Sequence, residues 1–354
     1  MSKTRIEWAT DSFNPGIFGC SKKSDGCRFC YAMAMAVRLE RMGQANYAGL
    51  TTPQGQWTGE IRLLPIGEAI ERVKRYPKSR TGRKTVFTTS MADVLHEDIP
   101  IDWIGQVVRA MARTPEIIWQ FLTKRAERLP ELWSWLQAQG FTRWPENVWV
   151  MVSVENQEQA DLRIPLALQV PAKVIGLSME PLLGPVDLSP WLVGPPLPLD
   201  SRPGNWTDVA KFLRAAEWQT RIGWIIVGGE SGKEARPMHP AWAQSLRGQA
   251  VKARVPFLFK QWGEWIPEHD CSPSTPVGGL CKVHPDVGKV RLDSDTLGCT
   301  TMRRVGKKAA GRFFVGATNV FDAEWFVHSR GGFFGGGKVA GAPQQVYAGF
   351  QLGF

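Results

Sequence analysis

The chain has 354 residues, 43% of them hydrophobic, enough for one large core or two smaller ones, and 43 Lys and Arg against 33 Asp and Glu leave a formal charge of +10. This composition excludes a disordered chain, and the lack of any run of 18 apolar residues excludes a transmembrane helix. The net positive charge attracts polyanions and makes nucleic acid a natural partner, although the cations are scattered apart from short runs at Arg72–Arg75 and Arg80–Lys84.

The opening residues, Met1 to Trp8, lack the apolar core of a signal peptide, so a cytoplasmic, reducing compartment is expected. There, clustered cysteines serve metals rather than disulfides. A first strand is expected between Trp8 and Phe18, followed by the loop Gly19-Cys20-Ser21-Lys22-Lys23-Ser24-Asp25-Gly26-Cys27-Arg28-Phe29-Cys30. Tyr31 to Met42, rich in Ala and Met and stopping before Gly43, reads as a helix. A second helix is expected from Ile66 to Arg75.

Strand and helix then alternate. The predicted strands are Lys84–Thr89, Ile117–Leu122, Val148–Val154, Lys173–Ser178, Gly223–Val227 and Pro256–Phe259. Helices are predicted over Asp102–Arg113, up to Leu136, over Gln157–Leu166 and over Pro240–Ala253, with another at Asp208–Gln219 inside a Pro-rich insertion near 181–222. About seven βα units between residues 8 and 263 point to an α/β fold, a full or partial (β/α) barrel. Residues 264–354 read as a C-terminal extension with many turn residues and a Gly/Phe-rich tail.

A (β/α) barrel predicts that polar residues just after each strand converge on one face. The chain supplies one at every strand end: the cysteine loop, Ser90 and Asp93, Lys124 and Arg125, Glu155, Glu180, Glu230 and Ser231, and Lys260 and Gln261. His96 and His239 also follow strands and are weighed as ligands or acid–base groups, roles that a lone histidine seldom has. Gly228–Gly232 lacks the spacing of either common nucleotide-binding loop.

Cys20, Cys27 and Cys30 are spaced C-x6-C-x2-C. Three thiolates on one loop suit three irons of a [4Fe–4S] cluster with the fourth iron open. A closed zinc site with a fourth ligand from Cys271, Cys281 or Cys299 is the alternative, and would make the chain a zinc-stabilised nucleic-acid-binding protein without catalysis.

The loop, with Cys27-Arg28-Phe29-Cys30 after a first strand, resembles the cluster loop of radical S-adenosylmethionine (SAM) enzymes. The set Phe13-Asn14-Pro15, Gly19-Cys20, Gly26-Cys27, Cys30-Tyr31-Ala32, Ser90–Asp93, Val227–Gly232, Phe259–Gly263 and Gly306–Arg312 resembles a phage-associated three-cysteine family in that superfamily. It departs from the superfamily's C-x3-C-x2-C by three extra residues between the first two cysteines. The resemblance implies a [4Fe–4S] cluster on Cys20, Cys27 and Cys30, SAM on the open iron, an electron donor, and hydrogen abstraction from the substrate. It also implies Ser90 and Asp93 near the SAM amino group, Ser153 and Glu155 near the ribose, and Gly176–Glu180 on the adenine side. Glu230 and Lys260 are expected to meet substrate, Lys260 through a phosphate. The implied substrate is a modified base in phage DNA, with isomerisation of N-linked glycyl-thymidine to a C-linked form. A radical SAM lyase acting on DNA lesions, or a radical SAM enzyme acting on a small molecule, is the alternative chemistry.

Overall fold

The computed structural model describes residues 9–77, 84–192, 222–268, 280–284, 288–290 and 300–307. Elements are numbered over those residues. The frame is a seven-stranded, all-parallel sheet of β1 (Asp11–Phe13), β4 (Lys84–Thr88), β5 (Ile117–Thr123), β6 (Val148–Ser153), β7 (Ile175–Met179), β8 (Ile222–Gly228) and β9 (Phe257–Gln261), ordered in space as in sequence. Parallel neighbours need crossovers, and these run through α2 (Ile66–Lys74), α3 (Ile101–Ala112), α4 (Leu129–Ala138), α5 (Gln157–Ala167), the short α6 (Ser189–Leu192) and α7 (Pro240–Ala253). Among the described residues β1 and β9 do not pair, so the sheet is an open, partial (β/α) barrel.

Strands buried on both faces should read as nearly continuous apolar runs, and β6, Val-Trp-Val-Met-Val-Ser, is buried at all six positions. Val148, Val150 and Val152 pack toward the helices with Ile175, Leu177, Ile225, Val227, Phe257 and Phe259. The alternate residues line the concave face, where Phe87, Ile118, Trp149, Met151, Trp224, Ile226 and Leu258 form an apolar floor. Trp149 and Trp224 meet edge to face there, with centroids 6.5 Å apart. The same alternation puts Ser153 and its register partner Ser178 on this face toward the C-terminal strand ends, where it turns polar.

Helix ends follow local chemistry. Asn156 caps α5 by accepting from Gln159 N at 3.0 Å, and His239 caps α7 through Nδ1, with Pro240 at its first turn. His239 is therefore a capping residue.

Two elements were not anticipated. A short ladder of β2 (Ile17–Phe18) on β3 (Arg62–Leu63) fixes the chain just before Cys20. After the barrel, β10 (Trp265–Pro267), β11 (Leu280–His284), β12 (Gly288–Val290) and β13 (Thr300–Arg304) form an antiparallel sheet ordered β10-β13-β11-β12. Residues expected to be an extension of turns thus include four paired strands. The predicted helix at 208–219 and the tail beyond 307 lie outside the described residues. No described helix is long and apolar enough to cross a membrane.

Candidate functional site

The cysteine loop lies between β2 and α1 (Tyr31–Arg41). Gly19 starts it at φ +88°, and a Cβ there would stand 2.1 Å from the Glu60 carbonyl oxygen, so only glycine fits. Cys20, Cys27 and Cys30 are free thiols, each partly buried. Burial pushes Cys20 up to about 12 and also raises Cys30, while the Arg125 and Lys124 cations oppose the two shifts respectively. Despite those cations, Cys20 and Cys30 keep their protons until a metal replaces them.

Three tethers bind this loop to the C-terminal ends of β5, β6 and β8. The first comes from β5. Arg125, fully buried, donates to Ser21 Oγ at 2.6 Å and to the Ser21 carbonyl at 3.3 Å, and pairs with Asp93 at 3.1 Å and with Glu97. Ser21 Oγ donates in turn to Glu97 Oε1. His96 Nδ1 accepts from the Asp98 N–H, which leaves the proton on Nε2 to donate to Ser21 Oγ at 2.8 Å. Burial and Arg125 lower the His96 pKa, so the ring is a neutral support for Ser21.

The second tether comes from β6. Ser24 Oγ donates to Glu155 Oε1, while Arg163 donates to Glu155 Oε2 at 2.8 Å and to the Ser153 carbonyl at 2.9 Å. Gly26 packs so closely that a Cβ would stand 2.9 Å from Glu155 Oε1. The third comes from β8. Glu230 grips Arg236 with two oxygens at 2.7 and 2.8 Å, and Arg236 reaches the Asp25 carbonyl at 3.0 Å and the Asp25 carboxylate. Arg236 also stacks over Phe29, 5.3 Å from its centroid.

The expected site residues therefore gather at one end of the sheet in different roles. Asp93 accepts from Leu95 N and Thr123 Oγ1 on one oxygen and from Lys124 N and Arg125 on the other, which occupies its lone pairs. Glu155 and Glu230 are the carboxylates of two tethers. Ser153 Oγ accepts from Lys124 Nζ at 3.1 Å. The Ser90 carbonyl accepts from Tyr31. It follows Thr89, whose φ of 62° is unusual for a β-branched residue and is held by bonds to the Phe13 and Thr88 carbonyls. Glu180 pairs with Lys260 at 2.5 Å and accepts from Gln261.

Sequence reasoning missed Ser21, Ser24, Arg163 and Arg236 as supports of the loop. Arg236 carried a readable signal, since it follows Glu230 by six residues in a Gly-rich turn. Among the described residues no three His, Cys, Asp or Glu side chains gather closely enough to hold a single metal ion. Cys281, one candidate fourth zinc ligand, is buried in the β10–β13 sheet, and Cys271 and Cys299 lie outside the described residues. Three thiolates that each take a separate iron need not converge on one point, so this donor set suits a cluster better than one ion.

A family model described as a protein of unknown function, DUF5131, matches residues 3–322. The chain belongs to that family. No curated protein matches this DUF5131 member. Among solved structures it is similar to a cysteine-to-serine mutant of spore photoproduct lyase, at 12% identity and TM-score 0.40, covering 82% of this chain and 71% of that one. It is also similar to spore photoproduct lyase complexed with dinucleoside spore photoproduct, at 11% identity and TM-score 0.36, covering 87% and 71%. At these values the likeness carries nothing about activity.

Proposed function

We propose that this protein is a radical SAM enzyme that acts on nucleic acid. The observation that carries this reading is the loop of three free thiols tied to the ends of β5, β6 and β8. Cys20, Cys27 and Cys30 would hold a [4Fe–4S] cluster. With an electron from a donor protein, bound cluster and SAM supply a radical able to abstract hydrogen.

The chain's own residues then position and exclude water. Arg125, Glu155 and Arg236 fix the loop, with Asp93 and Glu230 holding the two arginines. Ser90, Ser153 and Glu180 stand at the strand ends where SAM would lie, and Lys124 orients Ser153. The apolar floor keeps water from the concave face.

For the substrate we propose a thymine in phage DNA carrying a glycyl group linked through nitrogen. Its Cα–H bond is weak because nitrogen and carboxylate both stabilise the radical. Removing that hydrogen allows the C–N bond to break as a C–C bond forms, and the hydrogen returns to the freed nitrogen, so no net oxidant is needed. Such DNA, incubated anaerobically with enzyme, SAM and reductant, should yield an isomer of unchanged mass with an altered fragmentation pattern. Unchanged DNA with SAM consumed on another substrate would refute the isomerase reading.

A further inference from the structure

Three sequence motifs, one of which lends Glu230 to the third tether, meet at the β7–β9 end of the site. The Gly228–Gly232 turn, the Lys260–Glu264 turn and the Gly306–Lys307 segment are hydrogen-bonded to one another through Glu264. Its N–H donates to the Glu230 carbonyl at 3.1 Å, its Oε1 accepts from Gly232 N at 3.1 Å, and its carbonyl accepts from Val305 N and Gly306 N at 3.0 and 3.1 Å. Arg304 adds bonds to the Gly232 and Lys233 carbonyls. The antiparallel sheet is thereby anchored beside the barrel mouth, and its β13 strand delivers Lys307 there.

Lys260 and Glu180 are each 18% exposed and paired, and Gln261 Nε2 bridges Glu180 and Ser231 at 2.8 and 2.9 Å. Gln261 is buried, and its Oε1 meets no donor. Desolvation and then the Lys260 cation push the Lys307 ammonium below its ordinary value, with Glu180 and Glu264 opposing. Glu180 is already engaged by Lys260 and Gln261, and Glu264 by Gly232. Among the described residues Lys307 is exposed and makes no ion pair, so an incoming anion would give its ammonium a counter-charge next to the Lys260–Glu180 pair, and an adjacent N–H or O–H donor would satisfy Gln261 Oε1.

We propose that Lys260 and Lys307 form a clamp for an anionic group of the substrate, with Gln261 accepting from a donor next to it. A phosphate flanking a nucleobase and a carboxylate beside an amine share this chemistry. The clamp rests on the nucleic-acid reading above and names the part of the substrate held.

The test uses full-length protein and Lys307→Ala, with Lys307→Arg as the charge-retaining control. Fluorescence anisotropy is read with a plain single-stranded oligonucleotide over a salt series, and competition is read with a phosphate-free nucleoside bearing a glycyl group on its base. If phosphate is held, Lys307→Ala binds the oligonucleotide about tenfold more weakly and its salt slope falls by about 0.7, while Lys307→Arg restores both. If carboxylate is held, only the nucleoside weakens. Unchanged affinity for both probes overturns the clamp. Iron content is measured in the same samples: a wild type without iron refutes the radical SAM reading while the binding data still judge the clamp.

Discussion

Arg125→Met removes the most buried of the three tethers while keeping an apolar stem in its place. Arg125 is 1% exposed and makes four separate contacts, to Asp93, Glu97, Ser21 Oγ and the Ser21 carbonyl. Breaking a buried ion pair from one side costs about 3–5 kcal/mol, because the remaining charge is left without its partner. Asp93 keeps three other donors and Glu97 is 54% exposed, which places the loss near the lower end, about 3 kcal/mol. For a chain of 354 residues that corresponds to a fall in Tm of roughly 4 °C by calorimetry. Burial would raise the Glu97 carboxyl, but its bond from Arg125 holds it at about 2, below its ordinary 4.5. The contribution of that pair is therefore fully present above pH 4.5 and lost as pH falls toward 2, so the gap between variant and wild type narrows across that window. Iron per chain should also drop, since Ser21 adjoins Cys20. A variant that keeps both wild-type Tm and full iron would refute the reasoning; a lowered Tm with full iron would show that the network stabilises the barrel without organising the thiols.

Arg236→Met leaves Glu230, 5% exposed, without its bidentate partner and frees Asp25, so stability should fall by about 2 kcal/mol and reconstituted iron should drop, read by denaturant titration and metal analysis. Gly26→Ala puts a methyl group 2.9 Å from Glu155 Oε1 and should cost about 1–3 kcal/mol with a matching loss of iron; wild-type iron would show that the loop seats without that contact. Cys281→Ala, in the core of the antiparallel sheet, should lower stability by about 1 kcal/mol and leave the iron count unchanged, whereas lost metal would favour a four-ligand site.

The barrel was legible because most of its strands are apolar runs ending in polar turns, and because Tyr31–Arg41 stops just before Gly43 while Pro240–Ala253 opens on a proline. The antiparallel sheet was not: its strands have three to five residues, and on β13 a single buried residue, Met302, sits among half-buried neighbours, too little to betray alternation. Residues at each strand end could be named from the sequence, but their division of labour could not. Asp93 and Glu155 look alike as carboxylates after a strand. Only the positions of Arg125, Arg163 and Ser24, up to 131 residues away, show that protein donors occupy both. Pairings of that sequence separation leave no local pattern.

The central claim is that Cys20, Cys27 and Cys30 hold an iron–sulfur cluster. Anaerobic iron, sulfide and zinc analysis of wild type beside Cys27→Ala tests it most directly. The account predicts a brown wild type with about four irons and four sulfides per chain, and a variant that has lost most of both. A colourless wild type that carries one zinc and no iron would contradict it.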